Sequence, residues 1–253
     1  MRRLMLIFAL AMLLTSLSAP LVRADLMDDF TAANELYEGK DYAAAIEKYE
    51  GVIGQGLESA ALYFNLGNAY FKSGDLGHAV LYYMRAQRLD PGDDDINHNL
   101  EFARQFTSVQ MEGVRLNPVQ TFFESIVAPY RLSLLAWASS ALFVLLLLLM
   151  ILRWGIGITG VAVRVSLMTV LILVIVASGL TTFKYRTDYL SRRAVIIAEE
   201  SPVQTGPSQQ SDVELQGAPG LVVEILAESD NYYNVLFENK RRGWIDKRFV
   251  AEI

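Results

Sequence analysis

The chain contains no cysteine, which excludes disulfides, thiol chemistry and sulfur-ligated metal centres. Histidine is almost as scarce: His78 and His98 are the only two, and no motif of the H-E-x-x-H kind is present. Positive charge is also in deficit, with 22 Lys and Arg against 28 Asp and Glu and a net charge of −6. No basic stripe is present, and nucleic acid is therefore not expected as a partner. No stretch offers a nucleophile–base pair or two carboxylates in an apolar setting, so neither catalysis nor a cofactor is expected.

Apolar residues, by contrast, are abundant and concentrated. Leu132–Leu152 and Val165–Phe183 carry no charged side chain, and a helix of about 20 such residues crosses roughly 30 Å of hydrocarbon. Trp137, Arg153, Trp154, Arg164, Lys184 and Tyr185 stand near the ends of the runs, as expected at a headgroup layer. The remaining chain is too small to wrap both runs, so residues 132–183 read as a transmembrane hairpin. Gly155 to Gly160 formally fits G-x-G-x-x-G, but a dinucleotide site needs that motif between a strand and a helix. Here it joins two spans, where glycine serves the turn.

Met1–Ala24 reads as a secretory signal: Arg2 and Arg3, an apolar run from Leu4 to Leu17, then Ala24 as a small residue for cleavage. Cleaved or retained as an anchor, it places residues from about 25 onward on the exported side, and the hairpin returns the C-terminal part to that side. The charge bias opposes this orientation. Only Arg153 and Arg164 lie in the internal loop, while Arg131, Lys184, Arg186, Arg192 and Arg193 flank the spans outside. The leader, as the first targeting element, is given precedence.

Residues 25–106 repeat themselves. A shift of 34 aligns Asp41 with Asp75, Ala45 with Ala79 and Tyr49 with Tyr83. Tyr63-x2-Leu66-Gly67-x2-Tyr70, followed by Ala79, Tyr83, Ala86 and Pro91, resembles the tetratricopeptide signature, an α-solenoid of paired helices. A third helix follows over Asp93–Phe106, with acids in its first turn. Modules of that family bind peptides on the face formed by each repeat's first helix. The resemblance puts Phe30, Asn34, Tyr37, Phe64, Asn68, Phe71 and Lys72 there, with His98 and Phe102 from the third helix. The aromatics either line that groove or pack between helices, and a groove of this kind suits an extended or helical apolar segment. Residues 107–131 form a juxtamembrane stretch in which Val119, Phe122, Phe123, Ile126 and Val127 recur at helical spacing, as an amphipathic surface helix or a plain linker.

Residues 191–253 switch to period two with frequent turns, and Ala194–Ala198, Leu221–Leu226, Tyr233–Phe237 and Gly243–Ile245 read as strands. About five strands in this length predict a small barrel. Pro202–Pro207, Gly220–Leu226 and Gly243-Trp244-Ile245 before Phe249-Val250 resemble a bacterial SH3-type domain, in which Tyr232 and Trp244 either line a groove or belong partly to the core. The complete order of modules resembles the BatE-type proteins of the bacterial aerotolerance operon. Tyr63 to Pro91, Asn97-x-Asn99-Leu100-Glu101 and the final barrel carry that likeness. It implies a multidomain scaffold in the bacterial inner membrane with its soluble parts in the periplasm. The implied partners are membrane proteins with von Willebrand A domains, a BatD-type protein and, indirectly, a MoxR-type AAA+ ATPase. Peptidoglycan is the competing ligand for the C-terminal domain.

Overall fold

The computed structural model describes residues 27–108, 118–158 and 160–253. The expected signal at 1–24 lies outside them, as do residues 109–117 of the juxtamembrane stretch.

Two helix–turn–helix pairs come first: α1 (27–38) with α2 (Tyr42–Gly54), and α3 (Ala60–Ser73) with α4 (Leu76–Leu89); α5 (Asp94–Ser108) then packs on α4. The starts of α2, α3 and α4 have side-chain caps: Asp41 accepts from the Ala44 amide, Ser59 from Leu62, and Asp75 from His78, at 3.0–3.2 Å. Such caps contribute about 1 kcal/mol each. Asp93 accepts from Asp95 and Ile96, so its carboxylate is a helix cap. The turns repeat too. Gly74 has φ +91° before the α4 cap, and Lys40, at the equivalent place one repeat earlier, holds the same left-handed conformation at φ +64°, which suits glycine better.

Tyr49, Leu62 and Leu66 are fully buried between the helices. Burying one leucine of this kind is worth about 1.5–3 kcal/mol. Gly67 has no room for a side chain, because a Cβ there would lie 2.7 Å from the Tyr83 ring. That close approach brings α3 against α4.

Beyond the undescribed segment, α6 (Pro118–Val127) is a helix, with Phe122, Phe123 and Ile126 exposed and Val127 buried. Next come α7 (Leu132–Met150) and α8 (Val161–Tyr185), each prolonged by a π-helical turn, Ile151–Gly155 and Arg186–Leu190. Both are long and apolar enough to cross a membrane, and only 6% of the most apolar window of each is buried inside the protein. They pack side by side, with Ser139 Oγ and Thr181 Oγ1 2.9 Å apart. Phe123 of α6 meets Phe183 of α8 at 5.8 Å between ring centres.

The last part is one antiparallel sheet. Its strands are β1 (Arg193–Ile196), β2 (Ser201–Gln204), β3 (Val213–Gly217), β4 (Val222–Ser229), β5 (Tyr232–Phe237), β6 (Arg242–Asp246) and β7 (Val250–Glu252). Their order is β3-β2-β6-β5-β4-β1-β7. The expected closed barrel is corrected here: β3 and β7 are edges and do not pair. On the β7 edge the Glu252 carbonyl accepts instead from the Arg85 side chain of α4 at 2.8 Å. Val203, Val223, Val235, Phe237 and Ile245 fill the core of this sheet.

The repeats and the sheet are not independent modules. Val195 of β1 is fully buried in one cluster with Ala79, Val80 and Met84 of α4 and Leu100 and Ala103 of α5. A Cβ on Gly77 would lie 2.7 Å from Ile197 Cα, 2.8 Å from its carbonyl oxygen and 3.0 Å from the Ile196 carbonyl oxygen, so the helix touches the backbone at the end of β1 and just after it. Arg88 Nη1 donates to the Ile253 carbonyl at 2.9 Å, and Arg104 pairs with Glu238 at 2.6 Å. Arg131, just before α7, pairs with Asp90 after α4, which ties the repeats to the hairpin.

Candidate functional site

The groove expected from the repeats is built on α1, α3 and α5, the first helix of each pair and the helix after them. What the repeat shift promised for single residues holds for their hydrogen bonds. Asn34 Oδ1 accepts from Tyr49 Oη at 2.7 Å and from Asn65 Nδ2 at 2.9 Å. One repeat on, Asn68 Oδ1 accepts from Tyr83 Oη at 2.7 Å and from Asn99 Nδ2 at 2.9 Å. Every member of the second set stands one full repeat after its counterpart. The tyrosines come from α2 and α4 and are buried, and burial pushes the Tyr49 phenol up to about 12 and raises Tyr83 as well. Both hydroxyls stay protonated donors across the physiological range.

The family comparison agrees. Residues 30–94 match the tetratricopeptide repeat family. No curated protein matches the chain. The matched stretch runs from the groove-side Phe30 to the start of α5, and repeats of this kind point to protein–protein interaction.

The expected groove residues fall into three groups. Phe30 and Phe64 are half-buried and lean on Tyr49 and Tyr83, with ring centres 6.0 and 5.9 Å apart, and Tyr37 lies 5.5 Å from Tyr42. These three serve packing as much as the open face. Asn34 and Asn68 have their carboxamide oxygens committed to the inner network. Phe71 and Phe102 are brought together at 5.7 Å, joined by Phe106 at 5.9 and 5.3 Å. Phe102 and Phe106 are 44% and 58% exposed, which makes this trio the open apolar part of the groove. Lys72 and His98 are exposed beside it.

Sequence reasoning missed Asn65, Asn99 and Phe106. The signal for the asparagines was present, because Asn65 and Asn99 obey the same repeat shift as Asn34 and Asn68.

On the sheet, Tyr232 stands opposite Asp246, and Trp244 stands opposite Asn234 and Gln204. Tyr232 is only 9% exposed and Trp244 is half-buried. The SH3-like groove expected from them therefore offers part of one indole and little of the phenol. Asp246 is occupied by Arg248, whose hydrogen bonds hold its carboxyl below the usual carboxylate range.

Where the repeats, hairpin ends and sheet meet there is a cavity of about 780 Å³. Arg88, Arg104, Lys184 and Arg192 line it, and all four already bond within the chain. Among the described residues no group of three His, Asp or Glu side chains is placed to hold a metal ion.

Proposed function

We propose that the protein is a non-catalytic, membrane-anchored adaptor that holds a segment of a partner protein in its repeat groove. The observation that carries this reading is the cluster of exposed Phe102 and Phe106 on half-buried Phe71, in a chain that also carries two helices suited to crossing a membrane. Aromatic residues, phenylalanine among them, are enriched in the cores of protein interfaces. The sheet domain, SH3-like in the order of its motifs, packs on α4 and supports the repeats. The resemblance to BatE-type proteins supplies the finer proposal: an exported face at the bacterial inner membrane, partners carrying von Willebrand A domains together with a BatD-type protein, and an indirect link to a MoxR-type ATPase. Peptidoglycan binding through the sheet is the weaker reading, because Tyr232 is withdrawn from its outer face.

The test uses the full chain in detergent. A Phe71→Ala/Phe102→Ala variant is compared with wild type for co-purification of a von Willebrand A membrane partner, with folding followed by circular dichroism. Loss of the partner from a folded variant is the expected result. Retention of the partner removes the groove from the proposal.

A further inference from the structure

The cavity where repeats, hairpin and sheet meet has no part in the groove reading. Its volume of about 780 Å³ falls in the range usual for a ligand site, roughly 300–1,000 Å³. Both exits of the hairpin border it. Val127 and Pro129 stand just before α7, and Lys184 follows directly on the apolar run of α8. With α7 and α8 in a bilayer, the cavity therefore lies at the headgroup layer.

Lys184 is only 6% exposed, and lysine is almost never buried without partners. Its ammonium has three donors to place. Asp188 Oδ2 takes one at 3.0 Å, and the Ala128 carbonyl stands 3.5 Å away as a weak second acceptor. The third has no acceptor among the described residues, and a buried charged donor left unmade is costly unless water or a ligand completes it. Strand alternation brings a second cation to the same cavity. Val195 packs on α4, so Arg193, two residues earlier on β1, lies on the same face of the sheet. Arg193 is half-buried, and its guanidinium has no hydrogen bond or ion pair among the described residues. Glu224 of β4 stands directly opposite it, where Cβ atoms are about 4.5–5.5 Å apart. The two form no ion pair, and Glu224, which also lines the cavity, has no other side-chain partner among those residues.

We infer that this cavity holds the headgroup of a zwitterionic phospholipid of the phosphoethanolamine type; the inference rests on the reading of α7 and α8 as membrane spans. The phosphodiester accepts from Lys184 and Arg193, whose planar guanidinium matches phosphate oxygens in pairs. The ammonium, an ethylene bridge away, donates to Glu224. A headgroup with phosphate but no amine leaves Glu224 beside a like charge. A choline headgroup has no N–H for Glu224, and quaternary ammonium groups are held by open aromatic faces. The Tyr189 ring at this cavity already has Arg88 over it at 4.9 Å.

The test applies native mass spectrometry to the full chain in mild detergent, with phosphatidylethanolamine, phosphatidylcholine and phosphatidylglycerol of identical acyl chains. The ethanolamine lipid should be retained about tenfold more tightly than the other two, the worth of one charge-assisted hydrogen bond. Arg193→Gln should weaken all three, and Glu224→Gln should weaken the ethanolamine lipid alone, both at an unchanged melting temperature. Equal retention of the three lipids by the wild type overturns the proposal whatever the variants do, and so does a preference that neither substitution alters. Soluble glycerophosphoethanolamine that displaces the lipid at equal concentration would leave the chemistry standing and overturn the lipid as its source. Release of the chain from membranes by alkaline carbonate overturns the anchoring reading and this inference with it. Firm membrane retention without headgroup selectivity overturns this inference alone.

Discussion

Gly77 offers a test in which the sign of the effect decides. In an isolated repeat module, replacing this glycine in the first turn of α4 by alanine should stabilise the helix by up to about 1 kcal/mol. In the full chain the added methyl meets the Ile197 backbone at 2.7–2.8 Å and the Ile196 carbonyl oxygen at 3.0 Å. Backbone cannot swing aside as a side-chain end can. The strand must retreat from the helix and loosen Val195 among Ala79, Val80 and Met84. Overpacking of this kind costs about 1–3 kcal/mol, which outweighs the propensity gain. For a chain of this size each kcal/mol moves the melting temperature by about 2–4 °C. Gly51→Ala in α2 is the matched control, because nothing lies within 4 Å of its new methyl, and it should stabilise. Thermal unfolding by circular dichroism gives the sign, and hydrogen exchange of peptides covering 76–89 and 193–197 gives the place. Faster exchange in both peptides is expected for Gly77→Ala. A Gly77→Ala protein as stabilised as Gly51→Ala, with exchange unaltered, would refute the docking of helix on strand.

Two further outcomes follow from the repeat core. Gly67→Ala should destabilise by about 1–3 kcal/mol through its clash with the Tyr83 ring, and Tyr83→Leu in the same chain should recover part of the loss; additive unfolding free energies would show that the two residues do not touch. The pH dependence comes from Tyr49 and Tyr83, both raised above the ordinary tyrosine value of about 10 by burial. Below pH 10 they are neutral folded or unfolded; above it the unfolded chain ionises first, so their stability contribution is lost as pH climbs through the raised values. Unfolding measured from pH 8 to 12 should show this decline, and a Tyr49→Phe/Tyr83→Phe protein with an equally steep decline would contradict the assignment.

Local order was the legible part of this chain. The repeat shift located both helix pairs and singled out Asp41, Asp75, Gly67 and Tyr83 as repeat positions, because each depends on neighbours within one repeat; that the aspartates cap helices and that Gly67 meets the Tyr83 ring came from the structure. The two apolar runs were visible for a similar reason, although each helix continues past the run into a π-helical turn. Strands β2, β3 and β7 were not among those read, and Ser201–Gln204 and Val213–Gly217 show why: they are short, and polar residues or Pro202 break the alternation. The closed barrel was expected because strand count alone does not reveal that Arg85, far away in sequence, takes a carbonyl on the β7 edge. The docking of α4 on β1 was hidden in the same way. Ala79 stood out only as a repeat position, and nothing near it, Val80 or Met84 in sequence names Val195 as the cover. In the groove the aromatics drew attention first, and the asparagines that pair with one another across helices needed coordinates.

The contact between α4 and β1 also has a consequence for how the chain is made. The repeats leave the ribosome first, with the α4 face around Ala79, Val80 and Met84 complete in sequence but uncovered. Its cover, Val195, follows only after about a hundred further residues, including both apolar helices. At synthesis rates of about 5–20 residues per second, that interval lasts on the order of 5–20 s. A sticky face is therefore presented for the time it takes to build the hairpin. Because both partners of the contact must end on one side of any bilayer the helices cross, the closing of that face marks the moment when the hairpin has turned back correctly.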